Sequence, residues 1–166
     1  MESLEEIKIF GDSYSPDPKQ YRAASRGIRV RENRILLTYE TNTDQWFIPG
    51  GGLEENETPE ACCIREMGEE TGRGMRILRP FAAVEEHYGD WLFLHRYYLC
   101  EDAGPVPQKL TQEEKTNGLE PRWLLVSEAV GLFSGYRDIK NDLLKYGTYL
   151  REYTVLSRYI RQTNSK

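Results

Sequence analysis

The stretch between Thr58 and Gly72 constrains this chain more than any other. Thr58 can cap the free N–H groups of a first helical turn, Pro59 brings the φ that suits the first helical position, and Gly72 can take the left-handed conformation that ends a helix. The pattern predicts a helix from Pro59 to Thr71. Just ahead of it, Trp46, Phe47 and Ile48 form a short β-prone run that Pro49 and the triplet Gly50, Gly51 and Gly52 end abruptly. A strand, a glycine turn and a helix therefore follow one another directly.

On a helix that turns about 100° per residue, Glu66 at the origin puts Glu70 at about 40° and Glu69 at about 300°, while Ile64 and Met67 fall at about 160° and 100°. Three carboxylates share one face. Like charges at these spacings destabilise an isolated helix, and a cation at that face removes the penalty. Oxygen-rich clusters favour hard ions, so Mg2+ or Mn2+ is expected in preference to zinc. The plain alternative is a solvated acidic face, which surface helices often carry. Against it stands the continuous unit GGLEENETPEACCIREMGEETG, with a glycine loop, a charged helix entrance and the acidic face in one run.

Around this unit the chain reads as short strands. Residues 21–31 form a first core strand, with Ile28 and Val30 alternating with charged neighbours, and residues 34–38 resume one after a turn at Glu32 and Asn33. Residues 77–86 and 91–100 read as a hairpin turning at Gly89 and Asp90, its second strand apolar on nearly both faces and so placed inside a sheet. Residues 103–118 read as a loop with a helical turn around Glu113, residues 123–126 as a further strand, and Ser127 as the cap of a helix starting at Glu128. Tyr149, Tyr153, Leu156 and Ile160 recur at helical spacing in the tail, a stripe that can cover its own core or part of a symmetric dimer, so monomer and homodimer both stay open.

Residues 1–20 read as an acidic, partly irregular arm and residues 21–166 as one domain, since 166 residues with 39% hydrophobic content can bury one core. The 27 acidic against 22 basic side chains give a net charge of -5, which argues against a broad nucleic-acid surface while permitting a local basic pocket. The amino terminus lacks the pattern of a signal peptide, and no apolar run is long enough to span a bilayer. Cys62, Cys63 and Cys100 are odd in number and lack metal-ligand spacing, which suits a reducing cytoplasm.

Residues 51–73 resemble the Nudix box, the signature of the Nudix hydrolases. Gly51, Glu57, Arg65, Glu66, Glu69, Glu70 and Gly72 stand at signature positions and Met67 fills the internal apolar one. The closing apolar position is instead Arg73. The resemblance implies an α/β fold, a three-layer α/β/α sandwich around a mixed sheet, and metal-assisted water attack on phosphorus in a nucleoside diphosphate linked to another group. It implies that Glu66, Glu69 and Glu70 coordinate metal, and that Gly51, Glu57 and Arg65 support the site. The general base is not fixed by the resemblance: Glu69, Glu85, Glu86, Glu113, Glu114 and Glu120 are candidates, with Glu114 preferred in the loop. Arg22, Arg26 and Arg96 could meet phosphate and Trp46, Tyr88 or Trp91 could stack on a base, but core or surface roles are the commoner ones, and substrate-binding residues stay unassigned. His87 and His95 lack ligand spacing and read as solvated or internally hydrogen-bonded. Two other functions compete: removal of pyrophosphate from the 5′ end of RNA, and a non-catalytic Nudix-like nucleotide sensor.

Overall fold

The structure, a computed structural model, describes residues 3–166. Among the described residues nine strands run in chain order as β1 (Glu5–Tyr14), β2 (Gln20–Ile28), β3 (Val30–Arg31), β4 (Arg34–Glu40), β5 (Gln45–Phe47), β6 (Gly50–Gly52), β7 (Arg73–Gly89), β8 (Trp91–Pro105) and β9 (Leu119–Leu125). The helices are α1 (Pro59–Thr71), α2 (Gln112–Asn117), α3 (Val126–Phe133) and α4 (Leu143–Asn164), with a 3-10 turn at Ser134–Asp138 between the last two.

One sheet has the order β1-β7-β8-β2-β6 and is mixed: β1 runs parallel to β7 and β8 parallel to β2, while β7 and β8, and β2 and β6, are antiparallel. A second, antiparallel sheet joins β3, β4 and β5, with β9 along the other edge of β4. The β3–β4 turn needs two residues at positive φ, and Glu32 (51°) and Asn33 (61°) supply it. Strand β8 lies inside the first sheet, flanked by β7 and β2, as its two-sided apolar character predicts.

Burial on both faces creates two cores. Along β4, Ile35 and Leu37 enter the larger core with Phe81, Val84, Tyr97, Phe133, Val155 and Leu156, while Leu36 between them points the other way to Cys63, Met67, Met75, Tyr98 and Cys100. Helix α1 covers the smaller core and α4 the larger, which makes the mixed sheet the middle layer of an α/β/α sandwich. Tyr149 and Leu156 are buried as the stripe predicts.

Several expectations fail locally: β8 runs on to Pro105 into the expected loop, and β9 spans Leu119–Leu125 where a strand over 123–126 is expected. Glu5–Tyr14 is a strand and not an irregular arm, because Ile7 and Ile9 alternate with Glu6 and Lys8 and bury themselves beside β7. Helix α3 begins at Val126, before Ser127, with the N–H of Leu125 donating to the Glu128 carboxylate at 2.9 Å, so no Ser127 cap forms.

Under α4 lies a buried polar chain. Glu86 accepts hydrogen bonds from Arg151 (3.0 Å) and pairs with His95 (2.8 Å), and Arg151 also donates to the Tyr97 hydroxyl (2.8 Å) and to Glu152 (3.1 Å). Burial and the Arg151 charge push the His95 pKa from 6.5 down to about 3, so the folded imidazole is neutral. Burial alone would raise Glu86, but Arg151 and His95 outweigh it and hold the carboxyl at about 2. Both groups bind fewer protons folded than unfolded as pH falls, His95 from about 6.5 downward and Glu86 from about 4.5, so stability declines with acidification. Chemical denaturation should show a loss of about 2 kcal/mol between pH 6.5 and 5, and His95→Gln should flatten the profile over that interval.

Candidate active site

Strand β6 consists of the three glycines, paired with β2 so that Gly50, Gly51 and Gly52 face Arg26, Ser25 and Ala24. The close approach explains the residue type at Gly51, where a Cβ would stand 2.5 Å from the carboxyl carbon of Glu66. Helix α1 follows as predicted: Thr58 caps Ala61 N–H at 3.2 Å, Pro59 opens the helix, and Gly72 closes it in the left-handed region at φ 72°.

Arg65 ties this helix to the turn before it. Its guanidinium forms a two-pronged pair with Glu57 (Nε at 2.7 Å, Nη2 at 3.0 Å), and Nη2 also reaches the Gly52 carbonyl at 3.0 Å. Nη1 donates to Glu66 at 2.8 Å and to Glu69 at 3.2 Å. The Arg65 contact holds Glu57 at about 2, and the Glu57 contact in turn raises Arg65 above its ordinary value.

Carboxylate oxygens of Glu66, Glu70 and Glu114 lie within 4.8 Å of one another, a group able to hold a divalent metal ion. Glu70 is 6% exposed, and its carboxylate accepts a hydrogen bond from Gly50 N–H at 3.2 Å. Burial first and the neighbouring Glu66 second push its pKa well above the usual carboxylate range; burial also raises Glu66. Acceptor-only oxygens, crowded and poorly solvated, fit a hard cation: its charge would relieve both the repulsion and the burial.

Glu114 arrives from a distant segment because α1 leaves carbonyls free at its end. Lys109 N–H donates to the Glu69 carbonyl at 2.8 Å, and the Gln108 side chain to that of Glu70 at 2.7 Å. The chain then turns into α2, whose capping box fixes Glu114: its carboxylate accepts from Thr111 N–H at 2.7 Å while its N–H donates to the Thr111 hydroxyl at 3.2 Å.

Glu69 shares the helical face but is not one of the three converging carboxylates, and its Oε2 accepts from Arg65. Glu86 belongs to the buried Arg151 pair, Glu85 lies near Lys8 and His87, Glu120 pairs with Arg122, and Glu113 is exposed. Arg22 and Arg26 flank the glycine strand, Arg26 donating to the Ile48 carbonyl at 2.8 Å. Arg96 pairs in register with Ser25 and so projects from the opposite face to Arg26. Trp46 stacks on Tyr39, and Trp91 and Tyr88 pack on Phe93. His95 is internally paired and His87 stacks on Phe10.

A model of the NUDIX domain matches residues 20–145. The chain belongs to the Nudix family. Its general activity, hydrolysis of a phosphoanhydride bond in a nucleoside diphosphate linked to another group, is the activity of this Nudix enzyme. Among its relatives is the mouse diphosphoinositol polyphosphate phosphohydrolase 3-alpha, 24% identical over 135 residues that cover 80% of each chain. A CMP-5'-(N-acetyl-N-hydroxy-3-aminopropyl)phosphonate hydrolase of Streptomyces rubellomurinus is 28% identical over 118 residues, 68% of this chain and 55% of that one. A Nudix hydrolase from Nitrosomonas europaea shares the fold with a TM-score of 0.58, at 17% identity over 81% of this chain and 89% of that one. Among the described residues no helix is long and apolar enough to cross a membrane.

The sequence reading missed Glu152, whose Oε2 accepts from Ile48 N–H at 2.6 Å and so holds the segment leading into the glycine strand. The signal was present: at helical spacing Glu152 falls on the same face as Tyr149 and Leu156, where a charge needs a buried partner. Arg65→Lys should lower unfolding stability by about 2 kcal/mol, because an ammonium cannot reproduce the forked contact to Glu57 while also reaching Glu66 and Gly52. Thermal and denaturant melts of the metal-free protein check it; an unchanged midpoint would remove Arg65 from the framework.

Proposed function

We propose that this Nudix enzyme is a Mg2+- or Mn2+-dependent hydrolase in which Glu66, Glu70 and Glu114 hold the metal. The observation that carries the reading is their convergence beside the glycine strand, with Glu70 shut away from water and, among the described residues, from any basic partner in direct contact. When bound, the metal would supply Lewis-acid stabilisation of the phosphate oxygens and a more acidic water. The chain supplies the geometry. Gly50 N–H fixes the Glu70 carboxylate, Arg65 fixes that of Glu66, and the capping box of α2 fixes that of Glu114.

Glu69 takes a separate role in this reading. Its Oε2 is bonded to Arg65 and it is half-buried at the edge of the cluster, which leaves Oε1 to take the proton of the attacking water. Substrates are nucleoside diphosphates linked to a second group, such as nucleotide sugars or ADP-ribose-like compounds. A second substrate class, a diphosphate on a densely phosphorylated small molecule, is favoured by the likeness to the diphosphoinositol polyphosphate phosphohydrolases and by Arg22 and Arg26 beside the glycine strand. A hydrolysis screen with added Mg2+ or Mn2+, spanning nucleotide sugars, dinucleotides, diphosphoinositol polyphosphates and triphosphorylated RNA, separates these classes. Equal turnover after rigorous metal removal would sink the metal-dependent mechanism.

Two variants separate the roles. Glu70→Gln removes a negative ligand while nearly preserving volume, so activity should fall on the order of 100-fold with weakened metal affinity. The metal-free variant should be at least as stable as the wild type, since a buried repulsion is relieved. Glu69→Gln should instead lower kcat by about 100-fold or more with metal affinity close to wild type. Metal titrations and steady-state kinetics read both; a Glu69 variant with normal kcat would return the proton-acceptor role to another group.

A further inference from the structure

A cavity of about 470 Å³ opens on the α1 side of the molecule, with Arg29, Arg31, Arg73, Asp102 and Trp123 in its lining. It shares no lining residue with the carboxylate cluster. Three guanidinium groups meet one carboxylate there. Asp102 is committed to Arg73 through a forked pair at 2.7 and 2.6 Å and also accepts Gly104 N–H at 2.8 Å. Arg29 acts on the same carboxylate only through its field, and neither Arg29 nor Arg31 forms an ion pair among the described residues. The Nε of Arg29 is buried without a hydrogen-bond partner among the described residues, a costly condition for a charged donor. Arg31 lies over the Trp123 ring at 5.7 Å from its centre, so its guanidinium is aligned by the indole and leaves its N–H groups free for a ligand.

Arg73 is the residue that departs from the family signature, standing where an apolar side chain closes the box. Its placement explains the departure: at the end of α1 the position faces this cavity instead of a sealed core, and the arginine contributes to its charge. An excess of positive charge, an unpaired buried donor and planar forks that match phosphate oxygens share one ligand-sized cavity.

We propose that this cavity is a second anion site, which binds a phosphoryl group or diphosphate of a small molecule through Arg29 and Arg31, with Arg73 and Asp102 as its fixed wall. The site needs no metal, because its charge is supplied by the side chains. It therefore stands or falls independently of the hydrolytic reading.

Calorimetric titration in EDTA tests it, with inorganic pyrophosphate and, in a parallel arm, ADP as probes, on the wild type and on the folded variants R29Q/R31Q, R29K/R31K and E70Q. The expected result is metal-free binding of pyrophosphate that weakens at least about tenfold in R29Q/R31Q, weakens less in R29K/R31K, which keeps the charge and loses the forks, and is intact in E70Q. Tighter binding of ADP than of pyrophosphate would identify the ligand as an organic phosphate; equal binding would identify the inorganic anion. Absence of binding in the wild type, or affinity in R29Q/R31Q equal to that of the wild type, would overturn the proposal.

Discussion

Bringing the carboxylates of Glu66, Glu70 and Glu114 within 4.8 Å of one another costs electrostatic energy, and the surrounding structure is arranged to bear that cost. Arg65 is the chief counterweight, since one guanidinium engages Glu57, Glu66, Glu69 and the Gly52 carbonyl. It compensates Glu66, whereas Glu70 has no ion-pair partner among the described residues and feels Arg26 only through its field. The repulsion is therefore only partly neutralised, which is the condition in which a divalent ion binds with most to gain.

Holding such a cluster requires rigid supports on every side, and they come from three parts of the chain. The glycine strand is fixed at its entrance by Glu152 and Arg26, which hold the N–H and the carbonyl of Ile48. The helix α1 is fixed by its caps and by the Arg65 fork. The Glu114 segment is fixed by hydrogen bonds to the carbonyls at the end of α1. The buried chain running from Glu152 through Arg151 to Glu86 and His95 extends this support across β7, β8 and α4. Among the fully buried side-chain atoms of this chain only His95 Nδ1 lacks a partner within the described residues, and such chains rigidify what they connect.

The two faces of the sheet carry different burdens. On the α4 side a large core is interrupted by the Arg151 network; on the α1 side a smaller core of Cys63, Met67, Met75, Tyr98 and Cys100 gives way toward the end of α1 to a basic cavity. The change from apolar packing to open cavity occurs where Arg73 replaces an apolar residue. A single position thus marks where this chain's surface chemistry departs from the family pattern.

Local signals were enough for the elements whose ends are chemically marked. Thr58, Pro59 and Gly72 fixed α1 to the residue, Gly89 located the β7–β8 turn, and the placement of Glu66, Glu69 and Glu70 on one face followed from helical periodicity alone. The resemblance carried by that segment reached further, to the sandwich and to the hydrolytic class. Strand β1 eludes sequence reading because its charged residues outweigh the alternation of Ile7 and Ile9, which only the edge of β7 rewards. Which carboxylates converge was decided by tertiary structure: Glu69 and Glu70 are neighbours on the helix, yet a one-residue rotation gives one to Arg65 and buries the other beside Gly50. Glu114 joins from 44 positions beyond Glu70 because the carbonyls at the end of α1 need donors and the following loop supplies them. Arg151, about 160° round the helix from Tyr149 by spacing, gave no sign of burial, since its partners Glu86 and His95 are brought to it by strand pairing. Sequence determined what each segment could be; long-range packing determined which charges meet, because that depends on distances between segments that no local pattern encodes.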